Sequence, residues 1–205
     1  MDQYDYSRIS YLETTYLPPG YKGNVYNMSY KWQDIIKPTN DPIKILEIGA
    51  YHGANVCCLT MTHALHVDSE IHCVDPWYDY EGYPEYRDKD EQKSNYSKFI
   101  HNISKLNPVH LNKIHIHRVK SEEAWARFAD GMFDIIYIDG NHERNFVFED
   151  AFMSLKKVKK NGWIVFDDAH DAKVMEAIQM FVNLYRDSFL NEIVMKNGQV
   201  FMRRL

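Results

Sequence analysis

Short apolar runs alternate with helix-compatible segments along most of the chain. Residues 43–48, 71–74, 114–119, 133–138 and 163–166 read as strands. The fourth is interrupted only by Asp134, as expected of a strand buried on both faces. Helix-compatible stretches cover about 55–65, 91–104, 144–158 and 173–185. Ser121-Glu122-Glu123 gives an N-cap and an acidic first turn to a further helix, and Asn161-Gly162 supplies a left-handed turn after 144–158. Residues 192–196 and 199–203, joined by Asn197-Gly198, carry a hairpin signal. The alternation predicts an α/β fold, a Rossmann-like seven-stranded sheet that is mostly parallel, with helices on both faces and one antiparallel strand from the C-terminal hairpin.

Ligands of such sheets sit at the carboxyl ends of the strands, so the residues following each predicted strand define a rim. Glu47, Asp75, Ser121, Asp139, Asp167 and Asp168 all fall there. The first strand runs through Glu47 into Gly49-Ala50-Tyr51-His52-Gly53, and a helix-compatible segment starts at Asn55. A strand, a glycine turn and a helix N-terminus build a nucleotide-type pocket, although the third glycine of the dinucleotide fingerprint is missing. Asp75, at the end of the second strand, stands where a carboxylate accepts both hydroxyls of a ribose, with a helix cap as the structural alternative.

Composition narrows the class. Hydrophobic residues make up 45% and charged residues 26% of 205 residues, enough for one soluble domain with a real core. A net charge of −5 and a pI near 6.0 argue against a nucleic-acid backbone as partner. No apolar run approaches the roughly 20 residues of a membrane span, so no membrane partner is expected and the cytoplasm is the default location. Cys57, Cys58 and Cys73 read as buried free thiols. The Lys156-Lys157-Val158-Lys159-Lys160 run reads as a solvated helix end. His115 and His117 alternate with Ile114 and Ile116 and fit the polar face of a strand, a reading placed above a metal role. Residues 1–40, with Tyr4, Tyr6, Tyr11, Tyr16, Tyr21, Tyr26 and Tyr30 around Pro18-Pro19-Gly20, form a tyrosine-rich N-terminal cap, and 41–205 form the main domain.

Glu47-Ile48-Gly49 with Gly53, Val74-Asp75-Pro76-Trp77, residues 133–142 ending in Ile138-Asp139-Gly140-Asn141-His142, Glu149-Asp150, and Leu155 through Asp167-Asp168 together resemble class I S-adenosylmethionine-dependent methyltransferases. The branch with an Ile-Asp-Gly-x-His signature, found among sugar and small-molecule O-methyltransferases, is the most similar. The resemblance covers residues 43–203 and leaves 1–40 outside. It implies that Gly49 and Gly53 let the backbone approach the methionine moiety, that Ala50 and Tyr51 between them also bind the cofactor, that Glu47 fixes this loop and the amino group, and that Asp75 holds the ribose. Trp77 or Tyr78 would pack on the ribose or adenine, and Ser121 with Glu122 would bond the adenine edge.

An alcohol is a poor nucleophile until its proton is removed, so a base or a metal is usually added. His142 is a candidate base, with a structural histidine as the alternative. Asp139, Asp167 and Asp168 offer hard oxygens to Mg2+ or another divalent cation. In the similar metal-dependent sugar methyltransferases the base is an aspartate at the position occupied here by Asn141, which turns attention to His142 or His170. The 76–90 connection, with Trp77, Tyr78, Tyr80, Tyr83 and Tyr86 among acids, fits a saccharide or another small hydroxylated acceptor. The competing readings are a nicotinamide-dependent oxidoreductase and a non-catalytic cofactor-binding module, one domain of a larger glycan-modifying protein.

Overall fold

The computed structural model describes residues 14–78 and 88–205, with the backbone alone at 190–192. Its strands are β1 (Lys44–Ile48), β2 (Glu70–Val74), β3 (Ile114–His117), β4 (Phe133–Ile138), β5 (Val158–Phe166), β6 (Phe189–Lys196) and β7 (Gln199–Arg204). The helices are α1 (Ala54–Thr62), α2 (Lys89–Ile103), α3 (Pro108–Leu111), α4 (Ser121–Ala124), α5 (Arg144–Lys157) and α6 (Ala172–Tyr185). The strands form one sheet in the order β3-β2-β1-β4-β5-β7-β6. β1 to β5 are mutually parallel, and β7 runs antiparallel between β5 and β6. The order reverses between β1 and β4, which is where such a sheet opens a crevice.

The period-two pattern of the strands feeds two cores. Leu46, Ile136, Ile164 and Phe166 face Val147, Ala151, Ala177 and Phe181 of α5 and α6. Ile45, Ile135, Tyr137 and Val165 face α1, Phe99 and Ile103 of α2, and two residues of the N-terminal region, Trp32 and Ile36. Trp32 is fully buried, donates its indole N–H to Gln199 Oε1 at 2.9 Å and meets the Tyr137 ring edge-on at 5.0 Å. The described part of the tyrosine-rich region therefore supplies core packing over β1, β4 and β7. Trp32→Ala should destabilise the protein by roughly 3 kcal/mol, read by urea denaturation. Tyr4, Tyr6 and Tyr11 lie outside the described residues, as do Tyr80, Tyr83 and Tyr86.

The Asn161-Gly162 pair serves differently from the sequence expectation. The helix ends at Lys157, and β5 begins at once, pairing Val158 with Phe133. Asn161, at φ 63°, then sits within an irregularity of β5 rather than capping the helix. The lysine run divides accordingly. Lys157 is buried and donates to the Phe128 carbonyl and to Asp130, each at 2.7 Å, while Lys159 pairs with Asp134. α1 is shorter than expected because Ala64 forms a bridge with Thr39. Ser121 is the first residue of α4 rather than its cap, Lys120 occupying that place. All three cysteines are buried free thiols.

Candidate active site

The turn after β1 is shaped by two glycines. Gly49 has φ 87°, and a Cβ there would lie 1.8 Å from the Asp139 carbonyl oxygen, because the tips of β1 and β4 touch. Gly53, at φ 81°, caps α1, and its missing Cβ leaves room for the Phe99 ring. Between them Tyr51 holds φ 42°, and Trp77 in the β2 loop holds φ 44°, both uncommon for residues with a side chain. Asp75 stabilises the pair. Its two oxygens accept the Tyr51 and Trp77 backbone N–H groups at 2.9 Å each, and the Trp77 indole donates to the Tyr51 carbonyl at 2.8 Å.

A pocket of about 690 Å³, its open mouth included, lies above the switch between β1 and β4. Of the residues expected to bind a cofactor, Gly49, Tyr51, Asp75, Ser121 and Asp139 line it. Glu47, Ala50, Gly53, Trp77 and Glu122 are not on its wall. Glu47 is buried beneath the turn and accepts the Asn55 amide at 3.1 Å, tying α1 to β1. The Trp77 ring is 1% exposed, packed on Tyr96 and Phe99, so Tyr78 presents the aromatic surface to the pocket. Sequence reasoning missed Gln92 of α2, which also lines the pocket. Its Nε2 and the Nδ2 of Asn141 are buried with no acceptor among the described residues. A glutamine in the first turn of a helix carries no motif that would have singled it out.

The acids of the rim crowd together on the β4 and β5 side. Burial and the neighbouring Asp167, Asp168 and Glu47 charges push the Asp139 carboxyl well above its ordinary range. Asp167 is committed to the fold. Its Oδ2 accepts the Tyr137 hydroxyl at 2.5 Å, and its Oδ1 accepts the Asn27 amide and the Asp168 N–H at 2.8 Å each. The cluster whose donor atoms lie within 4.8 Å of one another is Asp139, His142 and Asp168, with an imidazole where Asp167 was expected. His142 Nε2 stands 2.9 Å from Asp168 Oδ2, a contact that raises the imidazole's pKa and lowers the carboxyl's. His170 reaches the other oxygen of Asp168 at only 3.7 Å and is largely exposed. Asp168 itself adopts φ 49°, a geometry that asparagine shares readily.

Burial pushes the Asp75 carboxyl up to about 6 and that of Asp150, on the same pocket wall, up to about 7. Asp150 accepts the Trp125 indole N–H at 3.2 Å and faces no cation among these contacts. A carboxyl raised in the fold stabilises it below the ordinary carboxylate range, and that contribution is lost as pH rises through about 7. Asp150→Asn keeps an acceptor for Trp125 and removes the ionisation. Its melting temperature should gain on the parent between pH 5 and pH 8, by an amount worth a few kcal/mol, and a constant difference would show Asp150 to be unperturbed.

Glycine turn, acidic strand ends and reversed terminal hairpin define a class I S-adenosylmethionine-dependent methyltransferase fold. The profile of a family described as "Methyltransferase domain" matches residues 46–169, more than half of the chain, and the protein belongs to that family. It is 26% identical over 180 residues to the uncharacterized protein R132 of Acanthamoeba polyphaga mimivirus, covering 85% of this chain and 74% of that one. Among solved structures, a methyltransferase from Geobacter sulfurreducens matches with TM-score 0.54 and 16% identity, over 81% of this chain and 72% of that one. The tRNA (m1A58) methyltransferase TrmI of Aquifex aeolicus matches with TM-score 0.53 and 15% identity, over 80% and 62%. A Corynebacterium glutamicum protein matches at TM-score 0.53 and 12% identity, over 78% and 71%. At these identities the structures share the fold. Among the described residues no helix is long and apolar enough to cross a membrane.

Proposed function

We propose that the protein transfers a methyl group from S-adenosylmethionine to a hydroxyl of a saccharide or similar small hydroxylated acceptor, with His142 as the general base. The observation that carries this is the 2.9 Å contact between His142 Nε2 and Asp168 Oδ2, beside Asp139 on the pocket wall. Asp168 orients the imidazole and raises its basicity, the arrangement by which a hydroxyl is deprotonated as it attacks. The residues present fit the cofactor: Gly49 and Tyr51 of the turn and Asp75 at the end of β2 line one side of the pocket, the first for a methionine moiety and the last for a ribose, and Tyr78 and Ser121 line it beside them. When bound, S-adenosylmethionine supplies an electrophilic methyl on a sulfonium. The carboxylate rim favours that cation, and an acceptor held in the pocket against it would be positioned for attack and shielded from water.

A divalent cation at the same place, an alternative in which His142 is a ligand rather than the base, is supported by the convergence of Asp139, His142 and Asp168. Two carboxylates and an imidazole would hold Mn2+ more readily than the oxygen-preferring Mg2+, and its charge would acidify an acceptor hydroxyl and offset the burial and neighbouring carboxylates that raise the Asp139 pKa. The acceptor class rests on the exposed Tyr78 and on the acidic, aromatic composition of its loop. The remaining 1–40 and 41–205 division, a cytoplasmic location and assembly into a larger glycan-modifying enzyme belong to the same proposal.

The test is incubation with labelled S-adenosylmethionine and a panel of saccharides and phenols, with and without Mg2+ or chelator. Label on a sugar hydroxyl supports the reading, and label confined to phenols overturns the saccharide acceptor. Full activity in chelator overturns a catalytic cation while leaving the His142 base standing. With the base in place, kcat/KM should rise with pH through a limb above imidazole's usual 6.5, because only the neutral ring accepts a proton. Asp168→Asn should move that limb to lower pH.

A further inference from the structure

Away from the pocket, at the sheet edge formed by β2 and β3, lies a second group of titratable side chains that methyl transfer does not use. Glu70 and His72 share one face of β2, two residues apart. His115 is the direct neighbour of His72 across the parallel pair, and His117 follows on the same face of β3. The donor atoms of Glu70, His72 and His115 lie within 4.8 Å of one another. The rings of His72 and His115 are stacked at 4.7 Å, and those of His72 and His117 at 5.2 Å.

We propose that Glu70, His72 and His115 form a binding site for a divalent transition-metal ion of the zinc type, which staples the edge strand β3 to β2. Two imidazole nitrogens and one carboxylate oxygen are a common donor set for Zn2+, with the fourth position left to water. The outer shell is already present. His72 Nδ1 lies 3.0 Å from His117 Nε2, and His72 Nε2 lies 3.0 Å from Glu70 Oε2. In the metal-free chain the carboxylate only accepts, so His72 carries its proton on Nε2 and takes one from His117 at Nδ1. Ligation through His72 Nε2 requires the other tautomer, with Nδ1–H donating to His117 Nε2, and the proton on His117 moving to its own Nδ1. Proton count is unchanged, and the ligating ring is held by a hydrogen bond from its far nitrogen, as metal-bound histidines usually are.

His72 packs edge-on against Phe128 and Phe133, which hold its ring in place beside the edge strand. His115 is exposed, gives the ion a path from solvent, and makes no hydrogen bond among the described residues. Lys44 pairs with Glu70 Oε1 at 2.9 Å and leaves Oε2 to face the histidines. The cations near the site are Lys44 and Arg127, which weaken binding without blocking the donor atoms.

The test separates this site from the Asp139 cluster by working in a His142→Ala, Asp168→Asn background, which leaves Asp139 as the single donor of that cluster and the sheet-edge group intact. Zn2+ titrated by calorimetry should bind at one equivalent, Co2+ should give the visible bands of a four-coordinate ion, and Zn2+ should raise the melting temperature and slow amide exchange at Ile114–His117. Adding His115→Ala, an exposed substitution, should weaken Zn2+ binding at least tenfold and abolish both stabilising effects. In the otherwise unchanged protein the same substitution should leave methyl transfer at the parent rate. Absence of Zn2+ binding in the background variant, or equal affinity with and without His115, overturns the proposal. Glu70→Gln provides the second check, because it keeps the hydrogen bond to His72 and removes the charge; undiminished affinity would likewise overturn it.

Discussion

His142→Ala is expected to lower kcat by roughly 10²–10⁴-fold while leaving the dissociation constant for S-adenosylmethionine unchanged. The asymmetry follows from position. His142 stands over the acidic cluster after β4, and the wall of the pocket is built without it. On the proposed mechanism, loss of the imidazole removes the proton acceptor for the attacking hydroxyl and its contact with Asp168, but leaves the residues that line the pocket in place. Calorimetry for binding and initial rates for turnover read the two effects separately. Partial rescue of the alanine variant by added imidazole would mark a base rather than a prop. A variant with parental kcat would remove His142 from the chemistry.

Gly49→Ala should be the most damaging glycine-to-alanine change among the described residues, destabilising the protein by more than about 4 kcal/mol or abolishing S-adenosylmethionine binding in whatever folds. The new Cβ would meet the Asp139 carbonyl oxygen at 1.8 Å and its carbon at 2.5 Å, and both belong to backbone. A flexible side chain could swing aside, but the tip of β4 is fixed by its own ladder, with Asp139 N–H donating to the Ile48 carbonyl at 2.9 Å. The φ of 87° adds strain that alanine cannot relieve. By contrast Gly131→Ala, at φ 64° with open space around it, should cost little more than its backbone strain. Denaturation curves of the two variants compare steric closure with strain alone.

The reading of Trp77 shows how far local pattern reaches. Its place just after a strand-terminal aspartate suggested a ring lying on the cofactor. The sequence contains no sign that Tyr96 and Phe99, one turn apart on α2, draw the indole beneath the loop and leave Tyr78 outward. The three acids of the rim part company for a similar reason. Consecutive aspartates at 167 and 168 look interchangeable in one dimension. In the fold Tyr137 and Asn27, one from a strand and one from the N-terminal region, saturate Asp167 and leave Asp168 to His142. Gln92 was invisible because helical periodicity says which face a residue occupies and nothing about which cavity that face lines.

By itself the sequence determined the strand–helix order, the terminal hairpin and the rim on which carboxylates gather, because these depend on hydrophobic period, turn chemistry and the direction of parallel strands. The glycine at 49 was likewise legible as a point of close approach. Tertiary structure alone decided what approaches it, the β4 carbonyl, and which acids remain free after buried hydrogen bonds have claimed their partners. It also brought Glu70, His72 and His115 together, since register between strands 40 residues apart is set by packing of the whole sheet and leaves no local trace.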